Sequence, residues 1–280
     1  MPPTEPTTPP RPLTNNRILW LASYPKSGNT WLRFLLRSAV LGPPTESIQV
    51  AASIPDIHRP LPTDGSAASF GGLAPIKTHF ALSPTHPRRA QTAKAIYVLR
   101  HPKDVLLSGL NYTRLAGSKP SPSADRAYAE AFIASGGDRA FEAQGFGAWA
   151  SHARSWGDAD FPVHTIRYED LQADAAGVLR GVLGFIDQAL SEQVGDESLL
   201  AAVKASSFDN LRALEVREKH NPGKQSLSKR LFVGDQAAAR QGAFFMNRGQ
   251  SGQSLGPIGP GLDEAFDAAF AESLAEFGYA

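Results

Sequence analysis

The 280-residue sequence contains no cysteine and only two methionines. Without thiols the fold owes nothing to disulfides, and thiolate metal sites and thiol redox chemistry are excluded. A charge of one sign is lacking too: 28 Lys and Arg against 27 Asp and Glu leave a net charge of +1. There is thus no bulk field of the kind that gathers nucleic-acid phosphates, no nucleic-acid partner is expected, and any anion site must be local. No run of about twenty apolar residues occurs, so no membrane span is expected. The opening MPPTEPTTPPRPLTNN has no apolar stretch of signal-peptide length; its Pro and Thr content suits a disordered lead-in over residues 1–16 and a cytoplasmic protein. No pair among the seven histidines, with neighbouring carboxylates, has zinc-ligand spacing, and there is no internal repeat.

What is present is a 42% apolar chain long enough to bury a full core. Ile18 to Ala22 reads as a buried strand, Tyr24 to Gly28 as a turn, and Asn29 to Val40 as a helix with Trp31, Phe34, Leu35 and Ala39 on one stripe. Residues 42–75 hold six prolines and read as a long irregular excursion. Ala74 to His79, Ala95 to Leu99 and Val163 to Tyr168 are further strands. Asp104 suits the N-cap of a helix through Leu115; Pro120 to Gly137 is poor in large apolar residues and reads as mobile. Phe146 to Trp156 puts Trp149, Ala153 and Trp156 on one helical face. Helices are expected at about 175–190 and 196–217, a surface lid at 218–253, and an amphipathic helix from Pro260 to Phe277. Strands alternating with helices predict one α/β domain over residues 17–280, with a central parallel sheet flanked by helices and a P-loop-like strand–loop–helix opening unit.

The loop Ser23-Tyr24-Pro25-Lys26-Ser27-Gly28-Asn29-Thr30-Trp31 joins a strand to a helix, where unpaired backbone N–H groups and the positive helix end favour an anion. Gly28 permits a tight path and Lys26 adds a point charge. Walker A, G-x-x-x-x-G-K-[ST], is absent, which weakens a nucleoside-triphosphate reading.

This string resembles the YPKSGTTW loop of the cytosolic-type sulfotransferases that use 3′-phosphoadenosine-5′-phosphosulfate (PAPS), with Asn29 where that family often has Thr. Four further blocks resemble the family in order. Ile76-Lys77-Thr78-His79 resembles its K-T-H, implying Lys77 at the sulfuryl oxygens and His79 as general base. Arg100 with Ser108 resembles the segment gripping the 3′-phosphate. Tyr168-Glu169-Asp170-Leu171 and Ser206-Ser207-Phe208 resemble YEDL and T-S-F segments beside the adenine, with Trp31 and Phe208 sandwiching the purine. Phe244 to Gly252 resembles an F-x-R-K-G-x-x-G lid, implying that Arg248 and Gly249 meet the 3′-phosphate. There the sequence departs: Asn247 stands at the first basic position and Gln253-Ser254 replace Asp-Trp. Arg240, Arg230 or Lys229 are the candidates to replace the missing contact.

The resemblance implies a sulfotransferase that transfers a sulfuryl group from PAPS to a hydroxyl, releases adenosine 3′,5′-bisphosphate (PAP) and needs no metal. Lys26, Lys77 and His79 are the implied catalytic residues. Lys26, Ser27, Gly28, Asn29, Thr30, Trp31, Arg100, Ser108, Tyr168, Ser206, Phe208, Arg248 and Gly249 are the implied nucleotide-binding set. A kinase-like P-loop phosphotransferase and a catalytically silent PAPS-binding protein are the competing readings. A homodimer is left open. For the small-molecule acceptor, Phe70, Phe80, Tyr112 and Phe146 suggest an apolar wall. A phenol or hydrophobic alcohol is expected first, a sugar or natural product second.

Overall fold

The computed structural model describes residues 17–61, 68–220, 231–234, 236–240 and 242–279. Its strands are β1 (Ile18–Ser23), β2 (Ala74–Thr78), β3 (Thr92–Leu99) and β4 (Val163–Arg167), paired in parallel in the order β2-β1-β3-β4. Its helices run α1 (Asn29–Leu41), α2 (Ser47–Ser53), α3 (Pro102–Leu115), α4 (Pro122–Ser135), α5 (Arg139–Glu142), α6 (Trp149–Gly157), α7 (Tyr168–Ala173), α8 (Ala175–Ile186), α9 (Gln188–Ala205), α10 (Phe208–His220), α11 (Gln236–Arg240) and α12 (Leu262–Glu276).

Side chains of a strand alternate between faces, and here both faces are covered. Ile18, Trp20 and Ala22 of β1 join Tyr97 and Leu99 of β3 in a core with α3, α6 and α12. Leu19 and Leu21 join Ile96, Val98 and Ile166 on the other face, against α1, α8 and α9. From β1 the chain goes to a neighbour on one side, β2, and then to one on the other, β3. Strand order therefore reverses between β1 and β3, and a crevice opens outside their carboxyl ends, where open α/β sheets bind ligands.

Four expectations are corrected. The excursion 42–75 contains α2, opened by a reciprocal capping box between Glu46 and Gln49 that outweighs the proline-rich surroundings. Residues 120–137 contain α4, because an alanine-rich stretch is helical by propensity and needs only Ala129 and Phe132 to bury it. The helix expected at 196–217 is two, since Ser206 ends α9 and the Ser207 hydroxyl accepts from Asn210 N (3.4 Å) at the start of α10. Asp104 is not an N-cap: Pro102 occupies the first helical position of α3, and the His101 ring accepts from Lys103 N at 3.2 Å. The Asp104 carboxylate instead accepts from Gly252 N (3.0 Å) and Gln253 N (3.3 Å), tying the late lid to α3.

The expected strands and the α1, α3, α6 and α12 helices are present, with Phe266, Phe270 and Leu274 buried on α12. The lead-in over residues 1–16 lies outside the described residues. Among the described residues no helix is long and apolar enough to cross a membrane.

Candidate active site

The β1–α1 connection sets the site. Lys26 has φ +70° and Gly28 φ +100°, so two left-handed residues fold the turn back before α1 begins. A side chain at Gly28 would also collide with Tyr168, whose Cδ2 lies 2.4 Å from where a Cβ would stand. Trp31 N and Leu32 N donate to Gly28 O (2.9 and 3.2 Å), which leaves the amides of Asn29 and Thr30 as the free donors expected at a helix start. Asn29 is buried at that helix start, its Nδ2 donating to Leu21 O at 2.9 Å, which braces the loop against β1.

A cavity of about 590 Å³ lies over the crevice. It gathers Lys26, Gly28, Asn29, Thr30, Trp31, Lys77, His79, Arg100, Ser108, Tyr168, Phe208, Arg248 and Gly249 from segments that span most of the sequence. Two of the expected residues do not line it. Ser27 is buried beneath the loop with its hydroxyl unpartnered. Ser206 is buried with its Oγ 3.3 Å from Ser38 Oγ, while its carbonyl accepts from Trp31 Nε1 at 2.9 Å, so it orients the tryptophan from behind.

Arg100, at the end of β3, crosses to the loop and donates to Lys26 O at 3.1 Å and Gln250 O at 2.8 Å. Its guanidinium lies 4.0 Å from the Tyr168 ring centroid, and its Nε is buried without a partner. Tyr168 also meets Trp31 edge-on at 5.6 Å, and Phe208 packs so closely on Gly249 (φ +61°) that a side chain there would meet its ring at 2.5 Å. Three aromatic residues and an arginine thus surround one half of the cavity.

Lys26 Nζ stands 4.3 Å from the Phe245 centroid and 4.6 Å from that of Tyr112. Burial, reinforced by the Arg100 charge, pushes its ammonium down to about 7. Lys77 Nζ pairs with Asp56 Oδ2 at 2.8 Å; burial brings it to about 8 despite that carboxylate.

His79 follows β2. Its Nδ1 lies 2.8 Å from Ser23 O, and since a carbonyl only accepts, Nδ1 carries the proton and Nε2 the lone pair. Burial, with the Lys77 charge next, holds this imidazole well below 6.5 and so neutral at pH 7. The His79 carbonyl accepts from His152 Nε2 at 3.0 Å, and His152 Nδ1 accepts from Tyr97 OH at 2.9 Å. His79 is thereby fixed at its ring and its backbone.

The lid is anchored by groups that the sequence did not single out. Glu215 accepts from Phe245 N (2.7 Å) and Met246 N (2.8 Å), and Asn111 donates to Phe244 O at 2.9 Å. Asn247 and Arg248 line the cavity from exposed positions. Arg240 lies exposed on α11 and is not among the lining residues; Lys229 and Arg230 fall outside the described residues. Of the expected acceptor wall, Tyr112 and Phe146 line the cavity, and Phe80 packs against Phe146. Phe70 does not belong there. It is fully buried in the core on the α1 and α8 face, where the short antiparallel bridge between Phe70 and Leu73 turns it inward. Sequence reading also missed Arg33, Asp56, His58, Arg59, Arg114 and Asp125, all lining residues with no local motif to mark them.

A parallel sheet whose strand order reverses, a strand–loop–helix turn without Walker A, and buried lysines in one cavity with a neutral histidine are the features that the comparisons with known proteins bear on. The chain matches the sulfotransferase domain family over residues 16–278. It is 25% identical over 275 residues to human sulfotransferase 2B1, covering 91% of this chain and 66% of that protein, and 26% identical over 268 residues to bovine sulfotransferase 1A1, covering 92% and 83%. In fold it is similar to a mouse sulfotransferase, SULT7A1, complexed with PAP (TM-score 0.60, 19% identity, covering 96% of this chain and 87% of that one). A retinol dehydratase in complex with androsterone and the inactive cofactor PAP is likewise similar (TM-score 0.61, 16% identity, covering 92% and 80%). The chain belongs to the sulfotransferase family, and it is a PAPS-dependent sulfotransferase.

Proposed function

We propose that the chain moves the sulfuryl group of PAPS onto the hydroxyl of a small acceptor, a phenol or apolar alcohol, with His79 as general base. The observation that carries this is the bond from His79 Nδ1 to Ser23 O, which leaves a neutral imidazole with its Nε2 lone pair available in the cavity.

The residues present fit PAPS. Arg100 Nε is buried without a partner, and the cradle at Gly28 would be filled by any side chain. In this reading Arg100 and Ser108 hold the 3′-phosphate with Arg248 and the Gly249 backbone, and Trp31, Tyr168 and Phe208 enclose the purine. The α1 amides and Lys26 hold the 5′ end. PAPS supplies, when bound, an activated sulfuryl group. Lys26 brings positive charge to the leaving side and Lys77 to the sulfuryl oxygens, the preorganised electrostatics that such a transfer requires. His79 Nε2 takes the acceptor proton. Asp56 keeps Lys77 oriented and charged until the nucleotide arrives.

The test is transfer of labelled sulfuryl by His79→Ala. Turnover should fall by roughly 10²–10⁴ with an aliphatic alcohol, and PAP affinity should stay within a few-fold of wild type. Near-normal turnover with that poorly acidic acceptor, or a defect confined to PAPS binding, would sink the assignment.

A further inference from the structure

Arg33 is 2% exposed and lines the cavity; among the described residues it forms no direct ion pair, and the carboxylate that acts on it, Asp56, is itself paired with Lys77 Nζ at 2.8 Å. One terminal nitrogen donates to Ile54 O, and Nε is buried without a partner. A buried guanidinium whose opposing carboxylate is engaged by another cation is costly, and a ligand cavity that keeps one is suited to receive an anion there.

Its place in the cavity tells which ligand that is. Arg33 lies a full turn into α1, beyond the loop amides, and its bond to Ile54 sets it against the segment 54–59. That segment is held to the end of β2 through Lys77 N to Pro55 O (2.8 Å) and Ile57 N to Lys77 O (3.0 Å). It carries Asp56, His58 and Arg59 into the cavity wall, and His58 Nε2 accepts from His79 N at 3.1 Å. The nucleotide-gripping groups, Arg100, Ser108 and Arg248, come from β3, α3 and the lid instead. Asp56 is already engaged by Lys77 Nζ at 2.8 Å and by His58 N at 3.0 Å. Among the described lining residues, seven Lys and Arg side chains face only two carboxylates. An aromatic arc runs on from His79 through Phe146, 6.0 Å away, to Phe141 at 6.2 Å and Tyr112 at a further 6.4 Å.

We propose that the acceptor is a hydroxylated aromatic compound that also carries an anionic group, such as a carboxylate, held by Arg33 and Arg59 while the ring lies along Phe146. This rests on the sulfotransferase reading of the same site and narrows its acceptor class.

The test compares matched phenols of nearly equal hydroxyl acidity: 4-hydroxyphenylacetate and 3-(4-hydroxyphenyl)propionate, each against its methyl ester. With PAPS saturating, kcat/KM for at least one acid should exceed that of its ester by about 10- to 100-fold, the range of a charge-assisted bond. In Arg33→Met that ratio should fall to within about 3-fold, with the gap between PAPS and PAP affinities unchanged. Arg59→Met, at a more exposed position, carries the same test if Arg33→Met does not fold. Esters used as well as acids would overturn the proposal. So would an Arg33→Met enzyme that loses activity equally toward acid and ester and binds PAPS no better than PAP, because Arg33 would then hold the sulfuryl oxygens. Loss of the acid preference alone leaves sulfuryl transfer to esters measurable; a wild-type protein that neither binds PAP nor sulfates any phenol would refute the sulfotransferase reading itself.

Discussion

The buried ammonium of Lys26 makes nucleotide binding a proton-uptake reaction. With its pKa near 7 in the free enzyme, burial and Arg100 leave it about one-tenth protonated at pH 8. A 5′-phosphate placed beside it favours the charged form and raises that value, so binding at pH 8, where the ligand's phosphates are already ionised, should draw in about 0.9 proton. The same linkage gives PAP affinity a slope. Above pH 8, where both PAP phosphates are fully ionised, affinity should fall about tenfold per unit until the pKa of the bound state is reached. PAP is the ligand of choice because it has the 5′-phosphate and no sulfuryl group, which keeps Lys77 largely out of the measurement. Titration calorimetry at pH 8 in buffers of different ionisation enthalpy counts the protons directly. Lys26→Met should bring uptake close to zero while weakening binding at pH 6, where the wild-type lysine is charged. Equal apparent enthalpies in all buffers for the wild-type enzyme, with pH-independent affinity from 6 to 9, would refute the claim that this lysine is discharged in the empty site.

Arg100→Ala should weaken PAP by about ten- to a hundredfold but adenosine 5′-phosphosulfate by only a few-fold, since only the first ligand has a 3′-phosphate to read; equal losses in a fluorescence titration would place Arg100 elsewhere. Gly28→Ala forces an unfavourable φ of +100° and drives a methyl into the Tyr168 ring. It should cost about 1–2 kcal/mol in urea unfolding and at least tenfold in PAP affinity, and unchanged binding would mean that the ring is not part of the nucleotide wall. His152, fully buried and brought down to about 4, binds its proton more readily in the unfolded chain. Stability should therefore be complete above about pH 6.5 and fall as pH drops toward 4, by about 2 kcal/mol at pH 5 from this residue alone. His152→Gln should remove that share of the slope in urea titrations, and an unaltered slope would show that His152 titrates normally.

The fold was legible where a pattern had one physical meaning. Ile18 to Ala22 is apolar at every position because β1 is covered on both faces, and Phe266, Phe270 and Leu274 recur at helical spacing because one side of α12 meets the core. Reading failed where two causes compete. Alanine marks helical propensity but little burial, so α4 passed for a mobile stretch. Asp104 is a good N-cap residue by type, yet Pro102 took the first turn and left the carboxylate for the lid amides.

The candidate site divides along the same line. Its nucleotide half follows from local backbone chemistry: a left-handed turn, a helix start, an arginine closing a strand, a glycine under an aromatic ring. Each leaves a short string in the sequence, and each is found on the cavity wall. The acceptor half depends on contacts between distant segments that no local spacing encodes. Arg33 sits in α1 as one polar residue among leucines and would pass for a solvent-facing turn; only the bond to Ile54 turns it inward. Asp56 reaches Lys77 and His58 reaches His79 because residues 55–57 lie along the edge of β2, a pairing set by tertiary packing over a stretch whose prolines read as loop. Phe70 shows the opposite error, an aromatic in a plausible region that the chain spends on its core. An apolar acceptor was the natural expectation from the aromatic residues alone. The buried charge that argues for an anionic one becomes visible only when the fold brings residue 33 beside residue 54.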